Sequence, residues 1–364
     1  MRSDTESWTR AAGLLARIDI PAPPASPQSA WEKSIAGYLY LGGLGAGAFT
    51  VAVVGKWLSV GIARAELPLA NGWEVDPATA FLLWGPFVTA AGAALLLVHL
   101  GRNRVLAYTA GRNPGSSWLA RGFLILSGFI AVGCALALVA VFLPAWVDRP
   151  PVVWRAVEGL AVALALATAV YTGLLLRSMK FIPAWSSSLV PPLFLASALS
   201  TGAMGIVLSL LAYRLLVPDA APVEGFVRAV ERVEPAFVLS EAVLLAIYVS
   251  SLARGSKPEG VLSARMLLSG SWRYGFWLGV VGLALVVPLV SYAAGVAMRS
   301  DHLVVAAAAS VLVGGFLLRV AILSVGIKEE PPLYKYSQWR AQAAGSPSGD
   351  RREPPGASRA PVVS

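Results

Sequence analysis

The sequence predicts an all-α, polytopic membrane protein with eight transmembrane helices, arranged as two four-helix bundles and carrying no haem. Three observations lead there. Hydrophobic residues make up 57% of the 364 positions and charged residues 13%, and the mean hydropathy is +0.68, values of a chain that lives largely in lipid. Stretches of about 20 mostly apolar residues, each enough to cross a ~30 Å hydrocarbon core, recur along the chain. The segments between them alternate between strongly and weakly basic.

The first span is expected over residues 35–58. It opens with Tyr38 and Tyr40 and continues into the small residues Gly42, Gly43, Gly45, Ala46 and Gly47. Each Gly costs roughly 1 kcal/mol of helix propensity relative to Ala, so such a run implies a compensating use. Gly43 and Gly47 form a small-xxx-small pair, which has two readings: close packing of another helix, or a slot for a flat ligand. Further spans are expected at 79–100, 119–143, 153–177, 188–215, 236–253, 274–297 and 303–327. Pro86 and Pro288 interrupt two of them. The connections 59–78 and 218–235 are too short to be domains, and no soluble catalytic domain is evident.

Charge gives the orientation. With the N-terminus inside, 20 Lys and Arg fall on the inner side and eight on the outer side, while acidic residues divide evenly. Both termini are therefore expected in the cytoplasm by the positive-inside rule, in the cytoplasmic (inner) membrane of a bacterium. The net charge of +9 follows from this topology and requires no nucleic-acid partner. Residues 1–30, with Pro21, Pro23, Pro24 and Pro27 and no apolar h-region, read as a cytoplasmic arm without a cleavable signal peptide. The membrane domain occupies 31–328, and 329–364, rich in Pro, Gly, Ser and Arg, reads as a disordered cytoplasmic tail.

One cysteine, Cys134, excludes an iron-sulfur cluster, a Cys-based zinc site or a disulfide framework within this chain, and no metal site is expected. The two histidines, His99 and His302, fall at opposite ends of their spans, so they do not form the pair of axial ligands that a membrane haem commonly uses. Ionisable residues at membrane depth are functional candidates by default. Glu158, Glu241 and Arg319 qualify, with three readings: a structural ion pair between Arg319 and one acid, a polar path for protons or ions through the bundle, or a snorkelling or lipid-headgroup role.

Several polar residues share the inner end of the first four spans. Ser34 and Tyr38, spaced i and i+4, face the same way. His99 closes the second span, and Tyr171, Thr172 and Gly173 lie in the last turns of the fourth. An imidazole, phenol hydroxyls and a cleft opened by Gly42 and Gly43 suit a quinone head group, which needs donors to its carbonyls, a flat apolar slot and a proton exchanger. A packed polar cluster is the other reading.

The segments YLYLGGLGAGAF, HLGRNRVLAYTAGRNPGSSWLARG, YTGLLL and PPLFLASALSTG, in that order over Trp31 to Gly326, resemble the NrfD/PsrC family of polysulfide reductase membrane subunits. The resemblance implies a haem-free quinone-reactive anchor that binds menaquinone or ubiquinone, with proton translocation as an added expectation. It implies as partners a four-cluster ferredoxin-like iron-sulfur subunit and a molybdopterin catalytic subunit. By position, the family's quinone contacts correspond to Ser34, Tyr38 and Tyr171. Ser34 and Tyr38 stand where a relative has Asn and His, and His99 stands where many have Asp. The alternatives are a secondary transporter, against which the chain shows no repeated halves, and a quinone-free scaffold for soluble subunits.

Overall fold

The computed structural model describes residues 33–58, 67–69, 73–75, 77–100, 118–143, 152–216, 224–298 and 301–329. The expected N-terminal arm and, but for Glu329, the expected tail lie outside the described residues. Backbone contacts separate the chain into Pro27–Ile327, which contains the membrane helices, and a second unit of Met1–Ser26 with Lys328–Ser364. Of the second unit only Lys328 and Glu329 are described.

Lipid offers no partner for a backbone amide, so a chain of this hydropathy satisfies its N–H and C=O groups within helices. The helices are α1 (Lys33–Trp57), α2 (Pro77–Leu100), α3 (Trp118–Phe142), α4 (Val152–Arg177), a short α5 (Pro183–Ser186), α6 (Val190–Leu216), α7 (Glu224–Ala253) and a surface helix α8 (Pro258–Leu268). The seventh span starts as a π-helix, Gly275–Val286, and continues as α9 (Val287–Met298), and α10 is Asp301–Ser324. Between α1 and α2, β1 (Leu67–Leu69) and β2 (Trp73–Val75) form a small antiparallel hairpin that pairs Leu67 with Val75 and Leu69 with Trp73. Seven of the described helices are long and apolar enough to cross a membrane, and α2 contributes the apolar stretch Trp84–Val98. The protein is an integral membrane protein.

The helices pack as two groups. In the first, α1 packs on α2, α2 on α3, α3 on α4 and α4 back on α1. In the second, α6 packs on α7 and α10, and the seventh span packs on both α7 and α10. The long contact of α1 with α6 joins them, supported by α4 on α6.

Glycines set how closely these helices approach. A Cβ on Gly47 would overlap the Ala198 carbonyl of α6, and one on Gly202 would overlap the α1 backbone at Gly47 and Ala48. On the α2 side, Gly45 and Gly85 face each other in the same manner. The packing reading of the small-residue run therefore accounts for Gly45 and Gly47. The prolines are accommodated similarly. The ring of Pro86 sits over Gly133 of α3, at 2.5 Å from where a Cβ would be. Pro288 has no N–H to give the carbonyl four residues before it, and the preceding turns take i→i+5 bonding, seen where the Val287 amide bonds the Gly282 carbonyl.

The sixth span differs from its expected limits of 236–253. Pro235 lies inside α7, which begins eleven residues earlier at Glu224, and residues from Val227 onward belong to the apolar span. Proline is tolerated there because neighbouring helices re-satisfy the backbone. Consequently Glu234, expected in a loop, is buried, and Glu241 lies near the middle of the span instead of its outer half.

Replacing Gly47 with Leu should destabilise the protein by about 1–3 kcal/mol or prevent assembly, because the side chain has no room against Ala198. Gly159→Ala, where nothing lies within 4 Å, should not lower the thermal unfolding midpoint and should raise it slightly, by the helix propensity of up to about 1 kcal/mol that Ala adds. Unfolding of both variants in detergent checks the contrast.

Candidate functional site

Residues two apart on a helix point roughly oppositely, and α1 uses this. Tyr38 and Gly42 face the first group of helices, while Tyr40, Gly43 and Gly47 face the second. Two polar clusters result, one on each side of α1.

The first cluster lies where four helices meet. Tyr38 of α1 and Tyr171 of α4 are each 1% exposed, and their hydroxyls lie against each other. Gly92 of α2 packs against the turn Tyr38–Gly42, with its missing Cβ 3.3 Å from the Tyr38 carbonyl oxygen. Gly122 of α3 gives way to the Tyr171 ring, which occupies the space of a Cβ there. The surroundings are apolar: Ile35, Leu39, Leu126 and Leu175 belong to the same buried core. Gly42 faces Thr172 at an ordinary 3.9 Å. Ser34 is half-buried one turn before Tyr38. His99 ends α2 two turns beyond Gly92, and its side chain lies outside the described residues. The structure thus brings Tyr38, Gly42 and Tyr171 together and adds Gly122, which the sequence reading did not single out.

Gly43 belongs to the other side, with its missing Cβ 3.4 Å from both the Ala198 Cβ and an Arg319 Nη. Arg319 is 1% exposed. One Nη donates to the Ser197 hydroxyl and, at 2.9 Å, to the Gly315 carbonyl; the other makes a long 3.5 Å contact to the Phe194 carbonyl. Its guanidinium also lies over the rings of Phe194, at 5.1 Å, and Tyr40, at 5.9 Å. Ser197 also lies against Glu241, so one hydroxyl stands close to both the guanidinium and the acid. Two turns away on the same face of α7, Glu234 accepts a 2.6 Å hydrogen bond from Ser200. Glu234 Oε2, Glu241 Oε1 and Arg319 Nε are buried without a hydrogen-bond partner among the described residues. A polar file therefore runs between α6, α7 and α10: Glu234, Ser200, Ser197, Glu241, Arg319.

Glu158 belongs to neither cluster. It lies near the far end of α1, where its carboxylate accepts from Lys56 Nζ at 2.7 Å, Trp57 Nε1 at 3.0 Å and Trp154 Nε1 at 2.8 Å. Both oxygens are used, and α1 is tied to α4. Among the described residues, no group of three or more His, Cys, Asp or Glu is placed to hold a metal ion.

Comparison with known proteins places this geometry in context. The family described as polysulphide reductase, NrfD, matches residues 22–329. Protein NrfD of Escherichia coli strain K12 is 28% identical over 318 residues, covering 81% of this chain and 94% of its own. The C subunit of polysulfide reductase from Wolinella succinogenes is 30% identical over 321 residues, with the same coverage. An NrfD homolog of Haemophilus influenzae is 25% identical over 327 residues, covering 85% and 98%.

Lys56→Met leaves the Glu158 carboxylate buried with a lost charge partner and should cost about 3 kcal/mol. The double substitution Lys56→Met, Glu158→Leu removes the stranded charge and should recover much of that loss in the unfolding midpoint.

Proposed function

Because the chain belongs to the NrfD family of polysulphide reductases, we propose that it is the membrane subunit of a multi-subunit oxidoreductase and exchanges electrons with the membrane quinone pool at the Tyr38–Tyr171 site. The observation that carries this reading is the pair of buried phenols that lie against each other in an apolar setting where α1, α2, α3 and α4 converge. A quinone supplies two-electron, two-proton chemistry and presents two carbonyl oxygens on a flat ring. The phenols fit that group: each brings a hydroxyl donor for a carbonyl oxygen, and Ile35, Leu39, Leu126 and Leu175 supply apolar walls. Tyr38 and Tyr171 hold and orient the ring, Gly42 keeps α1 low beside Thr172, Ser34 lies one turn before Tyr38, and His99, near the end of α2, is assigned the role of proton exchanger.

The partners in this reading are a four-cluster ferredoxin-like iron-sulfur subunit and a molybdopterin catalytic subunit, docked where α1 begins. The name of the Wolinella relative, which marks it as one lettered subunit of polysulfide reductase, supports a complex of several polypeptides. The bias of basic residues supports a bacterial inner membrane with both termini, and that docking face, in the cytoplasm. Proton movement is assigned to the file containing Glu241 and Arg319, with Glu234 added. Its partnerless carboxylate oxygens and intervening hydroxyls support the assignment. Glu158, with every oxygen occupied by donors, is left out of the path.

Tyr171→Phe removes one hydroxyl at nearly constant volume. Turnover with a soluble quinone analogue should fall by roughly tenfold or more while the complex still assembles; unchanged turnover would contradict the site. Glu241→Gln should slow proton uptake by vesicles containing the complex, and equal uptake in wild type and variant would reduce Glu241 to a packing residue.

A further inference from the structure

At the end of the bundle where α1 begins, the connections α4–α5 and α7–α8 lie together. The missing Cβ of Gly260 in α8 is 3.5 Å from Pro183 of α5, and the Ser263 hydroxyl donates to the Val325 carbonyl at 2.7 Å. These contacts fix α8 on the bundle by one face, made of Glu259, Gly260, Ser263, Ala264 and Leu267. Its other face is exposed and mixes Leu262 and Leu268 with Arg265.

The level of this surface within the membrane is marked by aromatic residues. Tyr274 and Trp277, 65% and 51% exposed, open the seventh span. The Trp277 indole donates to the Leu268 carbonyl at 3.1 Å, joining the end of α8 to the start of that span. Exposed Tyr and Trp at a span end belong at the headgroup layer, where an amphipathic ring has one apolar and one wet side. Arg273 lies over the Tyr274 ring at 4.5 Å and donates to its hydroxyl at 2.8 Å, so a guanidinium is held at the same level.

Charge here has one sign on the surface. Arg177, Lys180, Arg254, Arg265 and Arg273 are exposed, whereas Glu259, the single acid of residues 177–183 and 254–274, is buried against the bundle. Exposed apolar side chains, Phe181, Leu262 and Leu268, lie among these cations. A cationic surface interleaved with apolar side chains and beginning at an aromatic belt fits a lipid leaflet, which offers phosphate above and hydrocarbon below.

We propose that α8 and the flanking turns form a binding site for anionic phospholipid, in which Arg254, Arg265 and Arg273 hold the headgroup phosphates while Leu262, Leu268 and Trp277 contact the acyl chains. The site is separate from the Tyr38–Tyr171 pair and does not depend on the quinone reading. Its ligand is the class of diacyl or tetraacyl phosphatidylglycerol lipids, and neutral phosphatidylcholine is not held.

The test uses the full chain purified in mild detergent and in nanodiscs of mixed phosphatidylglycerol and phosphatidylcholine. Lipid retained per protein is measured by mass spectrometry for wild type and for Arg254→Gln, Arg265→Gln, Arg273→Gln combined. Retained phosphatidylglycerol should fall at least about fivefold in the variant, the effect of losing even one cation near an anionic surface. Substituting Arg155, Arg228 and Arg232 by Gln at the opposite end should leave it unchanged. A second measurement uses cardiolipin added to detergent solution, which should raise the unfolding midpoint of wild type and not of the inner-end variant. Equal retention in all three proteins would overturn the proposal, as would loss of a co-purifying acidic polypeptide with lipid retention intact, which would assign the surface to a protein.

Discussion

The close approach of α1 to its neighbours is the constraint on which the rest of the structure depends. Gly47 against the Ala198 carbonyl and Gly45 against Gly85 bring α6 and α2 to distances that a side chain would forbid. In lipid there is no hydrophobic force between helices, so such packing contributes much of the association energy. It also sets what the flanking residues can do. With α1 clamped on two sides, Tyr38 is delivered to Tyr171, and Gly43 leaves the Arg319 guanidinium at van der Waals distance from the helix.

The buried charges fall into two kinds, separated by how completely they are satisfied. Glu158 takes three donors and an opposite charge, which is how a carboxylate is made tolerable away from water. Glu234 and Arg319 are each bonded, yet they and Glu241 each retain a buried polar atom with no hydrogen-bond partner among the described residues. Groups of the first kind hold helices together. Groups of the second kind leave polar atoms unmatched in an otherwise apolar interior, which is why the proposed proton path includes them and excludes Glu158.

The membrane class and most spans were legible because length and hydropathy are local properties of a segment. The expected 153–177 and the observed Val152–Arg177 differ by one residue. The start of α7 was not legible, since the polar stretch before Pro235 reads as a loop until the serines of α6 are known to face it. Ser200 opposite Glu234 is a tertiary fact, though the two-turn spacing of Glu234 and Glu241 was a usable signal. The run of glycines carried two readings in sequence. Packing accounts for Gly45 and Gly47, whereas Gly42 and Gly43 border the two polar clusters. Gly122 could not be found from spacing, because its role is to be absent beneath a ring from another helix. A direct ion pair of Arg319 was one reading of the sequence; the guanidinium bonds Ser197 and the Gly315 carbonyl, with Glu241 as a charge nearby.

The central claim is that quinone is handled on the Tyr38 face of α1 and not on the Tyr40 face. Photolabelling of the purified protein with an azido-quinone, followed by peptide mapping, tests it most directly. The account predicts label on the peptides containing Tyr38 and Tyr171, competed away by unlabelled quinone. Competable label confined to α6, α7 and α10, around Ser197 and Arg319, would contradict it.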